Sequence, residues 1–513
     1  MERRISNNRI NTLAMALAAL LPCTGAFAHD HSAYSHDSGN SRSNSEWMAN
    51  VADKRLLRDM SLPGTHDTMT YDLDNYDSAQ TQAKSLAQQL AAGVRVLDIR
   101  CRRINNRFHI YHGFVTTHFN FDDVLLTVTD FLADHPSETV LMRIKPEGNE
   151  SSTMSFEDVF DTYVDDSRYT NYFWRGTSTG VTLGDVRGKI VVLANFENAP
   201  FGISYGSINI QDNYQLDTNW DLYGKWVDVK EQIQAANTSS EGSRSFYMNY
   251  LSGSGGSFPY FVASGHSSPG TSAPRLLTGL TTPGWKDKYP DFPRIDCFLG
   301  VCSIAFEGTN VLAYDYLEDK NIAFSGILMA DFPGHGLIDR IVALNNDAVT
   351  LFQNTNYSGT RKSVELGSHT LASLAVGDNM LSSVSLADNL TVTLYDNSDL
   401  SGSYTVISSD TAALSSYGFD NRASSITVMP KGAAVYEHGS YTGRMQILPV
   451  GSYNLSDLNL GNDVISSIRV GDGYKVKLYE HSNFKGDTKT LTSDASGLGS
   501  FNDETSSIVV SYE

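Results

Sequence analysis

The last third of the chain repeats one pattern four times. The strings "FQNTNYSG", "YDNSDLSG", "YEHGSYTG" and "YEHSNFKG" begin 43, 41 and 43 residues apart, at Phe352, Tyr395, Tyr436 and Tyr479. Each is followed by a second related string, "DNMLSS", "DNRASS", "NDVISS" or "NDETSS". A repeated unit of this kind buries its apolar face only against a neighbouring copy. We therefore expect four-stranded Greek-key units that share a core two by two, in domains of residues 346–431 and 432–513.

Residues 46–345 follow a different pattern, in which apolar runs of strand length alternate with helical stretches. The strand candidates are Val94–Arg100, Phe108–His112, Thr139–Lys145, Lys189–Phe196, Ser245–Leu251 and Asn321–Asp331. The helix candidates are "AQTQAKSLAQQLAAG" and "FDDVLLTVTDFLADHP", the second of which should end at His135-Pro136. Strands that are apolar throughout, separated by helices, indicate a parallel sheet buried on both faces. At this length we expect a TIM-type α/β barrel, regular, distorted or incompletely closed.

The first 28 residues have the three parts of a secretory signal peptide. Arg3, Arg4 and Arg9 precede the apolar run Leu13–Leu21, and Ala26–Ala28 gives a small-x-small cleavage site. The apolar run is too short to span a bilayer, and no later run is long enough. We therefore expect a secreted, extracellular protein.

Residues 29–45, "HDHSAYSHDSGNSRSNS", are polar and rich in serine. This composition predicts a flexible linker between the signal peptide and the barrel. Metal scavenging through His29, His31 and His36 is the alternative interpretation of the same segment.

The chain is acidic. Removal of the signal peptide takes away three arginines and one glutamate, so the formal net charge changes from −20 to −22. Such acidity argues against nucleic acid as a partner and against general adhesion to anionic membranes. An anionic substrate would therefore need a local basic site.

Three cysteines follow the signal peptide. Cys297 and Cys302 enclose "FLGV", and in an oxidising compartment we expect a disulfide that closes this small loop. Cys101 lies in an apolar strand candidate and is expected to be a buried, inert thiol.

Two histidines stand out in the front part of the chain. His66 follows a Pro-Gly pair, which we interpret as a rigid turn, in "SLPGTHDTMTY", and His112 lies in "FHIYHGF". With Arg100, Lys145 and Asp331 they fall at the carboxyl ends of predicted strands, where barrel active sites are built. Two groups that titrate near neutral pH suit concerted general base and general acid catalysis. A lone histidine is more often structural, so the case depends on the whole set.

The residue types in this set point to one kind of reaction. Asp331 can accept a hydrogen bond from His66 and stabilise its imidazolium form. Arg100 offers a fork of donors to phosphate oxygens. We expect no histidine-rich or carboxylate-rich group with metal spacing around these residues. A base, an acid and a cation without a metal describe the cleavage of a phosphodiester by an internal hydroxyl group.

The order of the motifs makes the front part recognisable. "SLPGTHD", "GVRVLDIR", "HIYHG", "HPSETVLMRIKPE", "LGDVRGKIVVL" and "QDNYQ" occur in the order found in bacterial phosphatidylinositol-specific phospholipase C. The resemblance covers about residues 46–345. It implies a secreted lyase that cleaves phosphatidylinositol, in membranes or micelles, into diacylglycerol and inositol 1,2-cyclic phosphate. It also implies no cofactor for catalysis, peripheral membrane contact and a monomer.

The resemblance implies a role for each catalytic candidate. His66 would take the proton from the inositol 2-hydroxyl, with Asp331 as its orienting carboxylate. His112, helped by Asp67, would protonate the diacylglycerol oxygen. Arg100 would stabilise the phosphate. Calcium-dependent relatives carry an acidic residue at this last position, so the arginine predicts catalysis that needs no metal.

Around the inositol ring, the resemblance places Lys145, Asp212 and Tyr214, the last of them stacked on the ring. Two positions depart from the family pattern, because a ring-binding arginine falls on Asn195 and a tyrosine falls on His118. Glycosylated inositol anchors or another hydroxyl-bearing phosphodiester are therefore alternative substrates. A further alternative is a calcium-dependent adhesion protein whose barrel is a relic.

The repeats of the tail resemble microbial, calcium-binding βγ-crystallin domains. Each of the four strings matches the family signature Asx-Asx-x-x-Ser/Thr-Ser, which supplies the hard oxygen donors that calcium prefers. Turn formation by Asx and Ser is the alternative, and it suits one copy better than four. The predicted ligands, two sites per domain, are Asp378, Ser382, Asp420, Ser424, Asn462, Ser466, Asn502 and Ser506.

Aromatic residues of the predicted barrel rim either touch the membrane or pack inside the protein. The candidates are Phe258, Tyr260, Phe261 and Trp285.

Overall fold

The computed structural model describes residues 31–39, 43–73, 76–148, 151–320 and 322–513. The predicted signal peptide and His29 lie outside these residues. In the described ranges, no helix combines the length and the apolar character needed to cross a membrane.

The described residues of the front part form fifteen strands, six of which overlap the six predicted apolar runs. In chain order they are β1 (Leu62–Thr65), β2 (Val96–Ile104), β3 (Arg107–His112), β4 (Val115–Asn120), β5 (Val140–Pro146), β6 (Ile190–Ala194), β7 (Ile203–Ser204), β8 (Asn209–Gln211), β9 (Gln215–Leu216), β10 (Tyr247–Tyr250), β11 (Ser254–Gly255), β12 (Leu277–Leu280), β13 (Arg294–Phe298), β14 (Val301–Ala305) and β15 (Ile327–Ala330).

Eight of these strands form one parallel sheet in the order β7-β6-β5-β2-β1-β15-β10-β8. Among these eight strands, each one pairs with the strand before or after it in the chain, and the first, β1, also pairs with the last, β15, as in a β/α barrel. Within the described residues no pairing joins the two edge strands, β7 and β8. The prediction of an α/β barrel is therefore confirmed, in its incompletely closed form.

His112 reaches the carboxyl edge of this sheet on a hairpin. β3 pairs antiparallel with β2, and β4 pairs antiparallel with β3. The prediction that this strand belongs to the parallel set is wrong. The reason is the connection, because only Asn105 and Asn106 separate β2 from β3, and both have positive φ. A two-residue turn of this type closes a hairpin, whereas a parallel crossover needs a dozen residues or more.

The Pro-Gly pair before His66 lies inside β1 and is not a turn. Gly64 is required by close packing, since a Cβ atom there would lie 2.3 Å from Sδ of Met329 and 3.0 Å from Cβ of Val96. Pairing between β1 and β2 begins at Gly64, so Pro63, which has no N–H, lies at the end of that ladder. A pair of residues that usually breaks strands is thus accommodated at the centre of the barrel.

The helices of the front part follow their capping residues. They are α1 (Leu86–Ala92), α2 (Phe121–Asp134), α3 (Phe156–Val164), α4 (Leu183–Val186), α5 (Leu222–Asn237), α6 (Pro259–Ser264), α7 (Thr309–Asp319) and α8 (His335–Ala343). α2 ends before His135-Pro136, as predicted. α1 begins later than the helical pattern, because Ser85 and Gln88 form a capping box at its start.

The predicted flexible linker is wrong for residues 31–36. Tyr34 is buried, and its hydroxyl donates to the backbone oxygen of Pro269 at 2.6 Å. The backbone N–H of Ser35 donates to the oxygen of Phe332 at 3.1 Å, directly after Asp331. The single ring of Tyr34 supplies enough apolar surface to dock this polar segment on the barrel. The average composition of the segment does not reveal the contribution of one residue.

A small antiparallel sheet, β12-β14-β13, is inserted between α6 and α7. Cys297 in β13 and Cys302 in β14 form a disulfide, as predicted. Cys101 is a buried free thiol, also as predicted, and burial raises its pKa.

The tail is all β. Its strands are β16 (Val349–Asn354), β17 (Ser358–Val364), β18 (Gly367–Thr370), β19 (Ser383–Leu386), β20 (Leu390–Tyr395), β21 (Tyr404–Ile407), β22 (Ser425–Pro430), β23 (Ala433–His438), β24 (Thr442–Leu448), β25 (Gly451–Tyr453), β26 (Ser467–Val470), β27 (Tyr474–His481), β28 (Lys485–Leu491) and β29 (Ser507–Tyr512).

The repeats of the tail exchange strands in pairs. The first repeat contributes the sheet β17-β16-β19, while its remaining strand, β18, joins β22-β20-β21 of the second repeat. The third and fourth repeats form β24-β23-β26 and β25-β29-β27-β28 in the same way. Two Greek-key units therefore share each core, as the repeats predict. β22 ends at Pro430 and β23 begins at Ala433, so two residues connect the second repeat to the third.

The tail is docked on the barrel through a buried ion pair and a hydrogen bond that both involve Arg444. Arg444 in β24 is 2% exposed, and its Nε lies 3.3 Å from Oδ2 of Asp339 in α8. Nη1 of Arg444 also donates to Oδ1 of Asn44 at 3.4 Å. Since α8 follows the strand that leads to Asp331, the second tail domain packs against an element connected to the predicted active site.

Candidate active site

His66 follows β1 directly, at the carboxyl edge of the sheet. Its Nδ1 lies 2.8 Å from Oδ1 of Asp331, which follows β15, the strand beside β1. Burial, followed by the positive charge of Arg100, holds the pKa of His66 well below its usual range. The imidazole is therefore neutral near pH 7. When Asp331 accepts the hydrogen of Nδ1, the lone pair of the ring lies on Nε2, where it can act as a base.

The carboxylate of Asp67 lies between the two histidines. Its Oδ2 is 3.2 Å from Nε2 of His66 and 3.3 Å from Nε2 of His112. Nδ1 of His112 donates to the backbone oxygen of Ala79 at 2.8 Å, which leaves Nε2 to face the carboxylate. Burial raises the pKa of Asp67 to about 6. A proton held between Oδ2 of Asp67 and Nε2 of His112 would be placed to serve as the general acid.

Arg100 extends this arrangement into a row of alternating charges. Its Nε lies 2.9 Å from Oδ1 of Asp67, and its Nη2 lies 2.9 Å from Oδ2 of Asp98. Oδ1 of Asp98 is in turn 3.2 Å from Nη1 of Arg143. Burial acts to raise the pKa of Asp98, but the two guanidinium groups hold it well below its usual range. Asp98 is thus ionised and fixes Arg100 from behind.

Asp98 also completes a group of side chains that could bind a metal ion, contrary to the sequence-based expectation. One potential ligand atom each of His66, Asp67 and Asp98 lies within 4.8 Å of the other two. The prediction that no such group surrounds the histidines is therefore wrong. The guanidinium of Arg100 contacts both carboxylates and so already supplies the positive charge that a metal ion would bring.

Asp98 and Arg143 are site residues that the motifs did not single out. The register of β2 and β5 sets Asp98 beside Arg143 and Arg100 beside Lys145. Charged residues at alternate positions of a buried strand point to the same face. This signal is present in "VRVLDIR" and in "VLMRIK", and it could have identified both residues from the sequence.

Lys145 is tied to the turn that follows His112. Its Nζ lies 3.1 Å from Oε2 of Glu147, whose Oε1 accepts from the backbone N–H of Gly113 at 3.0 Å. Glu147 therefore joins a predicted ring-binding residue to the hairpin that carries the second histidine.

The side-chain amide of Asn195, which follows β6, is hydrogen-bonded to Arg143. Its Oδ1 accepts from Nε and Nη2 of Arg143, at 3.0 and 2.8 Å. Nη1 of Arg143 donates to the hydroxyl of Tyr250 at 2.9 Å. A guanidinium group therefore reaches position 195 from the adjacent strand, although the residue there is not an arginine.

The other predicted ring contacts lie on exposed segments, although the charge of Asp212 interacts with the charges of Lys225, Arg143 and Arg100. Asp212 and Tyr214 are exposed in the loop that connects β8 to β9, and His118 is exposed in β4. Among the described residues, no hydrogen bond or ion pair joins these three side chains to the catalytic histidines. Asp212 directly follows the carboxyl end of β8, so this loop borders the same edge of the sheet as His66.

The Asx-Ser strings of the tail pair reciprocally within each domain. In the first domain, Oγ of Ser382 donates to Oδ1 of Asn421, and Oγ of Ser424 donates to Oδ1 of Asn379, both at 3.4 Å. Oδ1 of Asp420 is buried without a hydrogen-bond partner. Each pair of strings thus gathers two clusters of hard oxygen atoms.

The second domain repeats this arrangement with carboxylates. Oγ of Ser466 donates to Oδ1 of Asp503 at 2.9 Å, and Oγ of Ser506 donates to Oδ1 of Asp463 at 3.2 Å. The side chain facing each serine is therefore the second Asx of the opposite string, whereas the sequence-based ligand set contains the first. This second residue has positive φ in all four strings, at Asn379, Asn421, Asp463 and Asp503.

Comparisons with known proteins find relatives of the front part of the chain. A family model described as "Phosphatidylinositol-specific phospholipase C, X domain" matches residues 60–195. A 1-phosphatidylinositol phosphodiesterase of Listeria monocytogenes is 36% identical over 235 residues, covering 42% of this chain and 69% of the relative. A 1-phosphatidylinositol phosphodiesterase of Staphylococcus aureus is 31% identical over 289 residues, covering 50% of this chain and 90% of the relative.

The tail has relatives of its own. A family model described as "Beta/Gamma crystallin" matches residues 391–470. Development-specific protein S of Myxococcus xanthus is 30% identical over 172 residues, which cover 32% of this chain and 98% of the relative.

Proposed function

The chain belongs to the phosphatidylinositol-specific phospholipase C family, and we propose that it cleaves phosphatidylinositol into diacylglycerol and inositol 1,2-cyclic phosphate. The observation that carries this proposal is the convergence on Asp67. Its carboxylate lies within 3.3 Å of Nε2 of both histidines and 2.9 Å from Nε of Arg100. A base, an acid and a cation therefore surround one small space, as cleavage by an internal hydroxyl requires.

In the proposed mechanism, Nε2 of His66 takes the proton of the inositol 2-hydroxyl, and the oxygen attacks the phosphorus. Arg100 stabilises the negative charge on the phosphate oxygens. The bond from phosphorus to the diacylglycerol oxygen breaks, and the proton shared by His112 and Asp67 passes to that oxygen. Asp331 stabilises the imidazolium formed at His66. No water is consumed, so the phosphate leaves as a cyclic diester.

Phosphorus NMR on the purified full chain tests this proposal. With phosphatidylinositol in detergent micelles and EDTA present, we expect the signal of a cyclic inositol phosphate to appear, because Arg100 takes the place of a metal ion between Asp67 and Asp98. Appearance of the acyclic phosphate as first product would contradict the lyase mechanism. A signal that returns only after calcium is added would contradict the role given to Arg100.

A second candidate substrate is a phosphatidylinositol whose ring carries a sugar. The observation that favours it is the contact between Arg143 and Asn195, which occupies the amide oxygen at a position expected to bind the ring. A ring held by fewer contacts tolerates a substituent more readily. The same NMR assay with a glycosylated phosphatidylinositol distinguishes the two substrates by their kcat/KM values.

We also propose that the protein acts outside the cell, as a monomer in peripheral contact with the membrane. The signal-peptide pattern and the Cys297–Cys302 disulfide, which suits an oxidising compartment, support this location.

The tail belongs to the β/γ-crystallin family, and its oxygen clusters fit calcium. Asp463 and Asp503 each place a carboxylate oxygen beside a serine hydroxyl, and Oδ1 of Asp420 is a buried acceptor without a partner. Carboxylate, hydroxyl and amide oxygens are the ligands that calcium prefers. Each string has one aspartate in its Asx pair: in the second domain Asp463 and Asp503 face the serines, whereas in the first domain the carboxylates belong to Asp378 and Asp420.

Calcium is expected to raise the melting temperature of the full chain by several degrees. A ligand at 100 times its Kd that binds only the native state stabilises it by about 2.7 kcal/mol. The variant Asp463→Ala/Asp503→Ala should lose most of this shift, and Asp472→Ala, an exposed carboxylate outside the strings, should keep it. Equal melting temperatures in calcium and in EDTA, together with no heat of binding by calorimetry, would contradict the proposal.

A further inference from the structure

The hairpin β13–β14 ends in an apolar tip that is closed by the disulfide. The tip consists of residues 297–302, "CFLGVC", and we refer to it as the clamped tip. Phe298 is 71% exposed and Leu299 is 88% exposed. Burial of Phe and Leu side chains is among the main favourable terms in folding, so leaving both in water is costly. A cross-link that restricts this loop prevents the two side chains from folding back onto the protein.

The clamped tip belongs to the active-site side of the barrel. The chain leaves the sheet at the carboxyl end of β10 and returns through the start of α7, and the hairpin lies in between. At the return point, Oγ1 of Thr309 donates to the oxygen of Leu251, and Nδ2 of Asn310 donates to the oxygen of Asp331, both at 2.8 Å. The segment is therefore anchored at both ends to the edge that carries the catalytic residues.

Other exposed aromatic residues follow strands at the same edge. Phe114, two residues after His112, is 90% exposed, and Tyr214, after β8, is 55% exposed. Phe258, after β10, is 45% exposed. Exposed apolar side chains therefore occur in several connections that follow strands at this edge, and the clamped tip lies in one of these connections. Exposed apolar side chains at this edge suit contact with an apolar partner, and the lipid phase that contains phosphatidylinositol is such a partner.

The charge of the chain decides how such a partner can be held. With a net charge of −20, the protein gains little attraction from anionic lipid headgroups. The clamped tip contains no charged residue between its two cysteines. Membrane binding must therefore come mainly from insertion of apolar side chains.

We propose that the clamped tip inserts into the boundary between headgroups and acyl chains of a lipid bilayer and thereby holds the active-site edge against the membrane. The inference rests on the proposed function, because a phosphatidylinositol substrate lies in a bilayer. The disulfide keeps Phe298 and Leu299 presented before contact, so little ordering is needed when the tip inserts.

Sedimentation with vesicles of phosphatidylcholine alone tests insertion without any catalysis. We expect Phe298→Ser/Leu299→Ser to weaken binding about tenfold to a hundredfold, since two large apolar side chains lose their transfer into lipid. Cys297→Ser/Cys302→Ser should weaken binding less, by about threefold to tenfold, because the side chains remain but the loop is no longer restricted. Val450→Ser is the matched control, since Val450 is an apolar residue of the tail that is 45% exposed.

Activity assays separate this proposal from the proposed function. On dibutanoyl phosphatidylinositol, a soluble monomeric substrate, Phe298→Ser/Leu299→Ser should keep the full kcat/KM, while its rate on vesicles falls with its affinity for them. If wild-type protein cleaves neither substrate, the proposed function fails whatever the vesicles bind. Vesicle binding equal to that of the wild type would overturn the insertion. So would a change of oligomeric state in the variant with vesicle affinity unchanged, which would make the tip a contact between copies of the chain.

Discussion

The variant His66→Ala is expected to lower kcat on phosphatidylinositol about 10⁴-fold, the upper end of what general base catalysis contributes. Without the imidazole, nothing at the position of Nε2 can take the proton of the attacking hydroxyl. Asp67 is close, but its oxygen atoms already contact Arg100 and His112. KM should change little, because His66 acts on the transition state and contributes little to binding.

The measurement is kcat and KM on monomeric short-chain phosphatidylinositol, followed by phosphorus NMR. His481→Ala is the control, since this histidine is exposed and lies in the tail. Asp331→Asn gives an independent check. An amide there can donate to Nδ1 and force the hydrogen onto Nε2, so activity should fall about 10²- to 10⁴-fold although the histidine is present. A folded His66→Ala protein that keeps a tenth of its activity would rule out His66 as the base.

The pH profile adds a further check on His66. Its pKa is lowered by burial and by Arg100, so the base stays neutral and competent below pH 6.5, the usual value for a histidine. An acidic limb of kcat that reports a base above this value would contradict the assignment.

The position of the proposed catalytic residues at one edge of the sheet could be predicted from the sequence, and alternating charges mark Asp98 and Arg143, but the contact between these last two could not be predicted. His66, Arg100 and Asp331 stand at the carboxyl ends of barrel strands, and motif order alone locates them. Asp98, which holds Arg100 in place, contacts Arg143 because the register between β2 and β5 sets the two residues side by side. Register is a property of paired strands and cannot be predicted from the sequence of either strand alone.

Two of the three errors in the fold have a common cause, since local composition was used where packing decides. Pro63-Gly64 normally signals a turn. In this chain the close approach of Met329 requires a glycine inside a strand. The polar segment around Tyr34 normally signals a flexible terminus, yet one buried aromatic residue docks it beside the loop that follows Asp331.

The fold of the tail was predicted best because the four copies of the repeat can be compared with one another within the sequence. Four copies of one string define the repeated units and their pairing, and the strand exchange agrees with this prediction. The choice of the first Asx as ligand did not follow from the repeat. Which of two adjacent side chains faces Ser466 depends on positive φ at the second residue, Asp463 in its own string and Asp503 in the opposite one.

The second large effect is expected for Arg100→Lys, which should lower kcat about 10³-fold. Removing a donor that stabilises developing charge costs about 10²- to 10³-fold in other enzymes. Lysine keeps the positive charge that Asp67 and Asp98 need when buried, so the protein should fold. Its single ammonium group cannot bridge both carboxylates and also present a planar fork to the phosphate.

The test of Arg100→Lys compares kcat and KM on the monomeric substrate with those of Arg168→Lys, an exposed arginine paired with Asp166. A fall in kcat at nearly constant KM would place the guanidinium in the transition state. A fall in kcat that calcium restores would mean that the group formed by His66, Asp67 and Asp98 can hold a cation once the fork is gone. Retention of kcat within fivefold would show that positive charge alone is sufficient, and the brace by Asp98 would then serve only to pair buried charges. The geometry favours the first result, because Nε and Nη2 of Arg100 each contact a different carboxylate at 2.9 Å and so fix the plane of the guanidinium.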